Sequence, residues 1–562
     1  MRNFEISSIL TEIADMLEIR GDSYYKVMAY RKAARAISNL RVELKDFIKE
    51  HSLEEIDAIG KAISEKITEI IATGSCRYYE DLKKKCPRVL VEMLKIPGFG
   101  AKKIKVIYDA LKVSSIEELE RAARAHLIRV LPGMGAKTEL LILRGIKMLK
   151  EGIGNLTLSQ ALIIANDVIL KLKSMAEVKE VECVGSLRRR KEIIDDIDLL
   201  VASDSKTEVI DGFARFPRIT EVIYKDQKRI IAKHDLGIKI DLRVVDPACY
   251  IMSIHKYTGC MEHVKNMYSL AKETGHDLSS AAKTLNNEAE IYKSIGIPYI
   301  IPELRENRGE ISAAIDSRLP DVVELDDIKG DVHVHSNWSD GAHSIESIAK
   351  YAMSLGYEYI AITDHSKSLK IAQGLDEQRL LLQIELIKKT NSNLENFRIL
   401  TGIEVDILSD ELDFNDDVLS KLDIVIASIH TGFRQERAKI TNRILSACEN
   451  PHVDIIAHPT GRILGRRDPY DVDIDAIIDK AAETGTALEI NSSPDRLDLN
   501  DIMAKKAKDK GVKITIGTDA HEKEGLKDIN FGVWVARRGW LEKGDVLNTM
   551  PFDEMYEWLK TN

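Results

Sequence analysis

The C-terminal part of this 562-residue chain holds nine residues of metal-ligating type: His333, His335, Asp340, His365, Glu404, His430, His458, Asp519 and His521. In a strand, side chains two apart share a face, so Asp331-Val332-His333-Val334-His335 presents both imidazoles on one side. Six imidazoles with three carboxylates give mixed nitrogen and oxygen ligation, which suits Mn²⁺, Zn²⁺ or Fe²⁺ better than Mg²⁺ alone. A second set is more compact. Asp196 and Asp198 alternate with apolar residues and project to one face of a strand, and Asp241 lies in another apolar run, Lys239 to Arg243. If those strands neighbour one another, three carboxylates meet and repel, and a pair of Mg²⁺ ions would relieve them. The turn Gly185-Ser186-Leu187-Arg188-Arg189-Arg190, shortly upstream, suits a triphosphate, so this set points to nucleotidyl transfer.

The third set is made of turns. Ile96-Pro97-Gly98-Phe99-Gly100-Ala101-Lys102-Lys103 and Leu131-Pro132-Gly133-Met134-Gly135-Ala136-Lys137 are similar, and Ile56 to Lys61 is a degraded copy with Ala58 in place of the first glycine. A glycine hairpin between helices lets backbone N–H groups approach a phosphate, whatever the base sequence. One such turn is also an ordinary helix corner; repetition, with Lys61, Lys102, Lys103 and Lys137 following, favours DNA binding.

The elements that must position these residues fall in order along the chain. The text up to about Lys150 is helical, and Met1 to Arg20 reads as an acidic amphipathic helix rather than a secretory signal. Strand-like runs occupy Val181 to Val245, helices return from Tyr250 to Ala314, and the acidic stretch Asp321 to Gly330 is expected to be a linker. Beyond it, short apolar strands alternate with helices, the strands ending near His335, Thr363, Val405, Ser428, Ala457, Ile490 and Ile516. Such repetition predicts a parallel sheet or barrel with its chemistry at the strand ends. Composition agrees: 44% hydrophobic and 31% charged residues exclude disorder, and the length calls for several domains. Residues 1–320 carry 52 basic against 47 acidic side chains and residues 321–562 carry 29 against 44, joining a basic front to an acidic rear. Six scattered cysteines without a CxxC pair suit a reduced, cytoplasmic protein, and no membrane span is predicted.

On these residues the front, from Ile9 to Ala314, resembles family X DNA polymerases. The resemblance implies that Asp196 and Asp198 hold two Mg²⁺ ions, and that Asp241 joins the catalytic one and accepts the primer hydroxyl proton. It also places Gly185, Ser186 and Arg189 at the triphosphate, and Tyr257 and Gly259, with Thr258, beside the incoming sugar. Ile297 to Glu306 is similar to a phrase of the bacterial branch. Gly60 to Ile67 resembles a lyase segment, with Lys66 at the position of a Schiff-base amine for 5′-dRP or abasic-site cleavage. Arg190, Asp195, Lys256 and Val264 depart from the family pattern near the nucleotide.

The nine rear residues match one for one the polymerase-and-histidinol-phosphatase (PHP) domain pattern, over Gly330 to Glu557. That implies a distorted seven-stranded barrel holding up to three ions, Mn²⁺ or Zn²⁺. Arg462, which follows His458-Pro459-Thr460-Gly461, is a candidate phosphate contact, with an ordinary surface arginine the alternative. The expected fold is multidomain α+β: a helical lyase-like domain (1–82), helix-hairpin-helix fingers (83–150), a nucleotidyltransferase palm (151–250), a thumb (251–318), a linker (319–329) and a (β/α)7 PHP barrel (330–562). The expected function is short-gap filling in base excision repair by a cytoplasmic monomer acting on gapped or primer-template DNA and dNTPs, with a 3′–5′ exonuclease in the rear. A DNA-end-binding scaffold fused to a small-molecule phosphatase is the alternative.

Overall fold

The computed structural model describes all residues except 1–2, 40–43, 50, 57–58, 86–89, 91–92, 94–95, 97–100, 152–155, 277, 279–284, 410, 466 and 562. Gly98 and Gly100 therefore lie outside the described residues, as does the side chain of Lys137. The described chain divides into two compact units. The first comprises Met1–Arg188, Ile194–Gly259 and Gly275–Ile291; the second comprises Arg189–Ile193, Cys260–Thr274 and Tyr292–Asn562. The stretch expected to be a thumb is thus shared between them.

The first unit begins with helices. Asn3–Arg20 buries Ile6, Leu10, Ile13 and Leu17, one stripe at helical spacing. That stripe shares a core with Ile67 and Ile70 of helix Lys61–Thr73, Ile104 and Ile107 of Ala101–Leu111, and Ile142 and Ile146 of Ala136–Glu151. The unit also holds a five-stranded sheet in the order Glu180–Cys183, Asp196–Ala202, Lys239–Val245, Arg229–His234, Ile219–Lys225. The central pair is parallel, with Asp198 opposite Asp241 and Asp196 opposite Lys239. The strands that had to be neighbours for a carboxylate triad are neighbours.

In the second unit seven strands follow one another in chain order, each parallel to the next: Gly330–Val334, Tyr359–Ile362, Arg398–Asp406, Ile424–Ser428, Ile455–Ile456, Ala487–Asn491 and Ile514–Gly517. A parallel bridge from Val334 to Ala520 brings the last strand's end to the first, so the sheet nearly closes into a barrel. The strands are buried almost throughout, as parallel strands covered on both faces must be. Ser344, Asp376, Asp473 and Asn500 cap the helices that start at Ile345, Glu377, Ile474 and Asp501, each side chain accepting a hydrogen bond from a free N–H. Val332, Leu400, Ile424, Ile455 and Ala487 form one apolar cluster with Met555 of the C-terminal helix Phe552–Thr561.

The acidic stretch 319–329 differs from expectation. Val322, Val323 and Ile328 are buried, and Val323 N donates to Leu541 O at 2.9 Å, so three apolar residues turn it into a packed strap despite its charge.

Two candidate metal centres

Asp196 and Asp198 point from one strand toward Asp241 of the next. Asp241 is buried and already paired: Arg229 donates to both its oxygens, Nε to Oδ1 at 2.9 Å and Nη2 to Oδ2 at 2.7 Å, and Arg243 Nη2 donates to Oδ2 at 2.8 Å. Asp196 has no such partner among the described residues; burial, then the charges of Asp241 and Asp195, push its carboxyl above the usual range. Gly185 packs against this site. Its φ is +62°, and a Cβ there would stand 2.1 Å from Asp198 Oδ2, so only glycine allows the phosphate-type turn to approach the carboxylate. Ser186 follows in the short helix Gly185–Arg188, whose Arg188 donates to Thr258 Oγ1 and Glu288 Oε2, both at 2.6 Å. Arg243 lies over the Tyr257 ring at 4.7 Å, and Gly259 ends the Tyr250–Thr258 helix with φ +68°. Arg189 falls in the second unit, where its Nε donates to Glu306 Oε1 at 3.0 Å.

Among the hairpin residues, Gly133 turns with φ +71° and Gly135 precedes helix Ala136–Glu151, whose first residues include Lys137. Lys102 is exposed and Lys103 half-buried in the first turn of Ala101–Leu111. Lys66 is half-buried on helix Lys61–Thr73, its Nζ donating to Ala62 O at 2.6 Å and lying 5.0 Å from the Tyr78 ring centre.

The nine barrel residues converge. Glu404, buried on the third strand, lies at the middle: His365 Nδ1 is 2.7 Å from its Oε2, His333 Nε2 and His335 Nε2 are each 3.6 Å from the same oxygen, and His458 Nε2 and His430 Nε2 are 3.0 and 3.4 Å from Oε1. Asp519 Oδ1 is 3.1 Å from His335 Nε2 and 3.7 Å from His333 Nε2, and Asp340 Oδ1 is 3.4 Å from His521 Nε2 and 3.7 Å from His365 Nε2.

Burial opposes every charge in this cluster; neighbours outweigh it at Glu404, Asp519, His333 and His521 but not at His335. The imidazoles hold Glu404 and Asp519 well below the ordinary carboxylate range in spite of burial. Carboxylates likewise raise His333 well above its usual value and His521 to about 9, while burial and then the like charges of His521 and His365 push His335 down to about 3. Buried polar atoms with no hydrogen-bond partner among the described residues include His333 Nε2, both ring nitrogens of His335, and Glu404 Oε2. Orphaned lone pairs aimed at a shared space are what cations would satisfy, and two overlapping sets, His335–Asp340–His365–His521 and His333–His335–Glu404, bring their ligand atoms within 4.8 Å of one another.

Sequence reasoning missed the supports. Glu489 Oε1 lies 2.6 Å from His333 Nδ1 and its Oε2 accepts from His458 N at 2.8 Å; Asp406 Oδ1 lies 3.2 Å from His430 Nδ1. Such partners fix ring orientation and leave the other nitrogen for an ion. Asp364 braces the loop that carries Asp340, accepting from Ser336 N at 2.8 Å, Ser339 Oγ and Gln383 Nε2 at 2.6 Å. The signal for Glu489 was a polar residue inside the apolar strand Ala487–Asn491. Arg462 differs from its expected role: it is buried, with Nη1 and Nη2 at 3.0 and 2.6 Å from the two Glu192 oxygens and further bonds to the carbonyls of Arg496 and Leu497. Its donors are spent on holding the chain.

Sequence comparison decides the family. A relative from Bacillus subtilis (strain 168), named DNA polymerase/3′–5′ exonuclease PolX, is 39% identical over 574 residues, covering 100% of both chains. The chain belongs to the bacterial-type family X DNA polymerases with a C-terminal PHP domain. The helix-hairpin-helix domain family matches residues 1–76, the SAM-like helix-hairpin-helix tandem residues 90–148, and the PHP domain residues 331–493. Probable phosphatases from Thermoanaerobacter sp. (strain X514) and Shewanella sp. (strain ANA-3) are 34% and 29% identical; they cover 41% and 39% of this chain and 94% and 87% of their own. The barrel of this polymerase family member is thus also similar to free-standing proteins. No described helix is long and apolar enough to cross a membrane.

Proposed function

We propose that the protein is a DNA-directed DNA polymerase that fills short gaps in DNA repair, base excision repair included, and whose PHP domain is a 3′–5′ exonuclease. The observation that supports this reading is the presence, in one chain aligned end to end with a polymerase/exonuclease, of two separate groups of ligand-type residues, the aspartates on neighbouring strands and the histidine–carboxylate cluster of the barrel. In the first, Asp196, Asp198 and Asp241 would hold two Mg²⁺ ions, which supply charge neutralisation for a triphosphate and a primer hydroxyl. Asp241 would take the hydroxyl's proton, and to do so must release an oxygen now held by Arg229. The backbone at Gly185 packs against Asp198 and, with Ser186, would orient the triphosphate, with Arg189 a further contact and Tyr257 and Gly259 beside the sugar.

In the second set, Glu404, at the middle, would hold the ions together with His333, His335, Asp340, His365, His430, His458, Asp519 and His521. Mn²⁺ or Zn²⁺, up to three ions, fit this nitrogen-rich donor set and would supply an activated water at the phosphodiester. Glu489 and Asp406 keep His333 and His430 oriented toward it. The domain boundaries given above, DNA contacts by the hairpins at Gly98, Gly100, Lys102, Lys103, Gly133, Gly135 and Lys137, an abasic-site lyase amine at Lys66, and a monomer in the cytoplasm belong to the same proposal.

One assay tests it. On a labelled gapped duplex, purified protein should extend the primer with dNTPs and Mg²⁺, and shorten it with Mn²⁺ when dNTPs are withheld. Release of phosphate from small esters without either reaction would favour the phosphatase-fused scaffold.

A further inference from the structure

The loops that carry His430 and His458 also carry groups that the metal site leaves unused. Phe433, three residues beyond His430, is half-buried, and Arg467 Cζ lies 4.2 Å from the centre of its ring. Tyr470 lies parallel to the same ring at 6.1 Å, and its hydroxyl donates to Pro459 O, next to His458. This is a built arrangement. Arg443 pins the Phe433 loop by donating to Thr431 O at 2.9 Å and Gln435 Oε1 at 3.0 Å. Gly432, with φ +76°, leaves no room for a Cβ, which would meet the Gln435 side chain at 2.9 Å.

Arg467 is short of negative charge. Its Nε donates to Gly461 O at 2.8 Å, but among the described residues no carboxylate is within ion-pairing distance of its guanidinium. Burial, and then the like charge of Arg496, hold its pKa below the ordinary guanidinium value. Arg496 in turn has Nε 3.4 Å from Asp519 Oδ2. Contacts thus run from the candidate ligand Asp519 to Arg496, and from Arg467 to the Phe433 ring, with the charge of Arg496 felt at Arg467. Paired guanidiniums beside a phosphoester site attract a further phosphate, and an aromatic ring with an arginine is a base platform that tolerates any sequence.

We infer that Phe433 and Arg467 form a strand-binding subsite of the nuclease centre: Arg467, next to Arg496, takes the phosphate adjacent to the scissile one, and Phe433 stacks on the base of the nucleotide between them. The subsite rests on the nuclease reading of the barrel and deepens it, since it gives a polynucleotide an advantage over a small phosphoester. It recognises backbone and a π-face, not base identity.

The test uses the full chain with Mn²⁺, a 5′-labelled single-stranded oligonucleotide, and bis(p-nitrophenyl) phosphate as a probe too small to reach the subsite. Phe433→Ala and Arg467→Gln should each raise KM for the oligonucleotide about tenfold, with turnover of the small diester within about twofold of wild type. Phe433→Trp should restore the oligonucleotide KM. An oligonucleotide abasic at its penultimate position should weaken the wild type as much as Phe433→Ala does and weaken that variant no further. Unchanged KM in both variants, or small-diester turnover lost in parallel with DNA turnover, overturns the subsite while leaving the nuclease reading intact. A wild type that hydrolyses the diester but degrades no DNA overturns the nuclease reading, and the subsite with it.

Discussion

At the aspartate site, Asp241 meets its counter-charge as two guanidiniums on long side chains, whereas at the barrel site Glu404 is ringed by imidazoles from several strand ends. Both arrangements answer the same need, since carboxylates gathered in an apolar sheet repel one another and lose their hydration. The answers differ in rigidity. Arg229 can swing away from Asp241 and be replaced by an ion, so this site suits ions that arrive with a nucleotide. At the barrel two of the imidazoles are braced, His333 by Glu489 and His430 by Asp406, which favours ions retained between turnovers.

That contrast can be broken most severely at Glu404. Glu404→Ala should lose more bound metal per chain after dialysis than His365→Ala, and both should lose nuclease activity by over about 100-fold, because a bridging carboxylate serves more than one ion and a terminal imidazole mainly one. Equal metal content in the wild type and Glu404→Ala would remove the bridging role. A step smaller, Glu489→Gln should keep the ligands and loosen them, lowering Mn²⁺ affinity by about 10–100-fold; isothermal titration of the dialysed protein reads it directly. On the aspartate side the sign reverses. Arg229→Gln removes a cation that competes with Mg²⁺ for Asp241, so half-maximal primer extension should need a few-fold less Mg²⁺ than in the wild type, and a higher requirement would show that Arg229 assists the ions.

The smallest effect concerns the barrel's frame. Asp454, next to the strand Ile455–Ile456, accepts from Val425 N at 2.7 Å, and burial raises its carboxyl to about 7. A raised carboxyl pKa in the folded state means that stability is fully present below the unfolded value near 4 and is lost as pH rises toward 7. Asp454→Asn keeps an acceptor for Val425 and removes the titration. Urea unfolding at several pH values should therefore show a flatter profile between about 4 and 7 in the variant.

What the sequence made legible, and what it hid, follows the same chemistry. The six barrel histidines stand out because an imidazole at the end of an apolar strand has little other reason to be there, and the fold brings them together with Asp340, Glu404 and Asp519. Glu489 and Asp406 are polar residues inside apolar strands, a signal that marks them as unusual but not what they do, because their meaning comes from the histidines that the fold sets beside them. The Asp196–Asp198–Asp241 set was legible as a pattern, but its pairing with Arg229 depends on the antiparallel register of two strands. Arg462 and the stretch 319–329 were misread for a common reason: charge suggested a phosphate contact and a free linker, while Glu192 in one case and Val322 and Val323 in the other commit both to packing. Arg496 and Arg467 carry no spacing signal, and only the fold sets them near Asp519 and Phe433.

The central claim is that one chain holds two independent metal-dependent centres. Asp241→Asn and Glu404→Ala, each compared with wild type on the same labelled gapped duplex, test it most directly. Asp241→Asn should abolish primer extension with dNTPs and Mg²⁺ and shorten the primer with Mn²⁺ at the original rate, and Glu404→Ala should do the opposite. Loss of both activities in either variant, with its circular dichroism and thermal unfolding unchanged, would contradict the account.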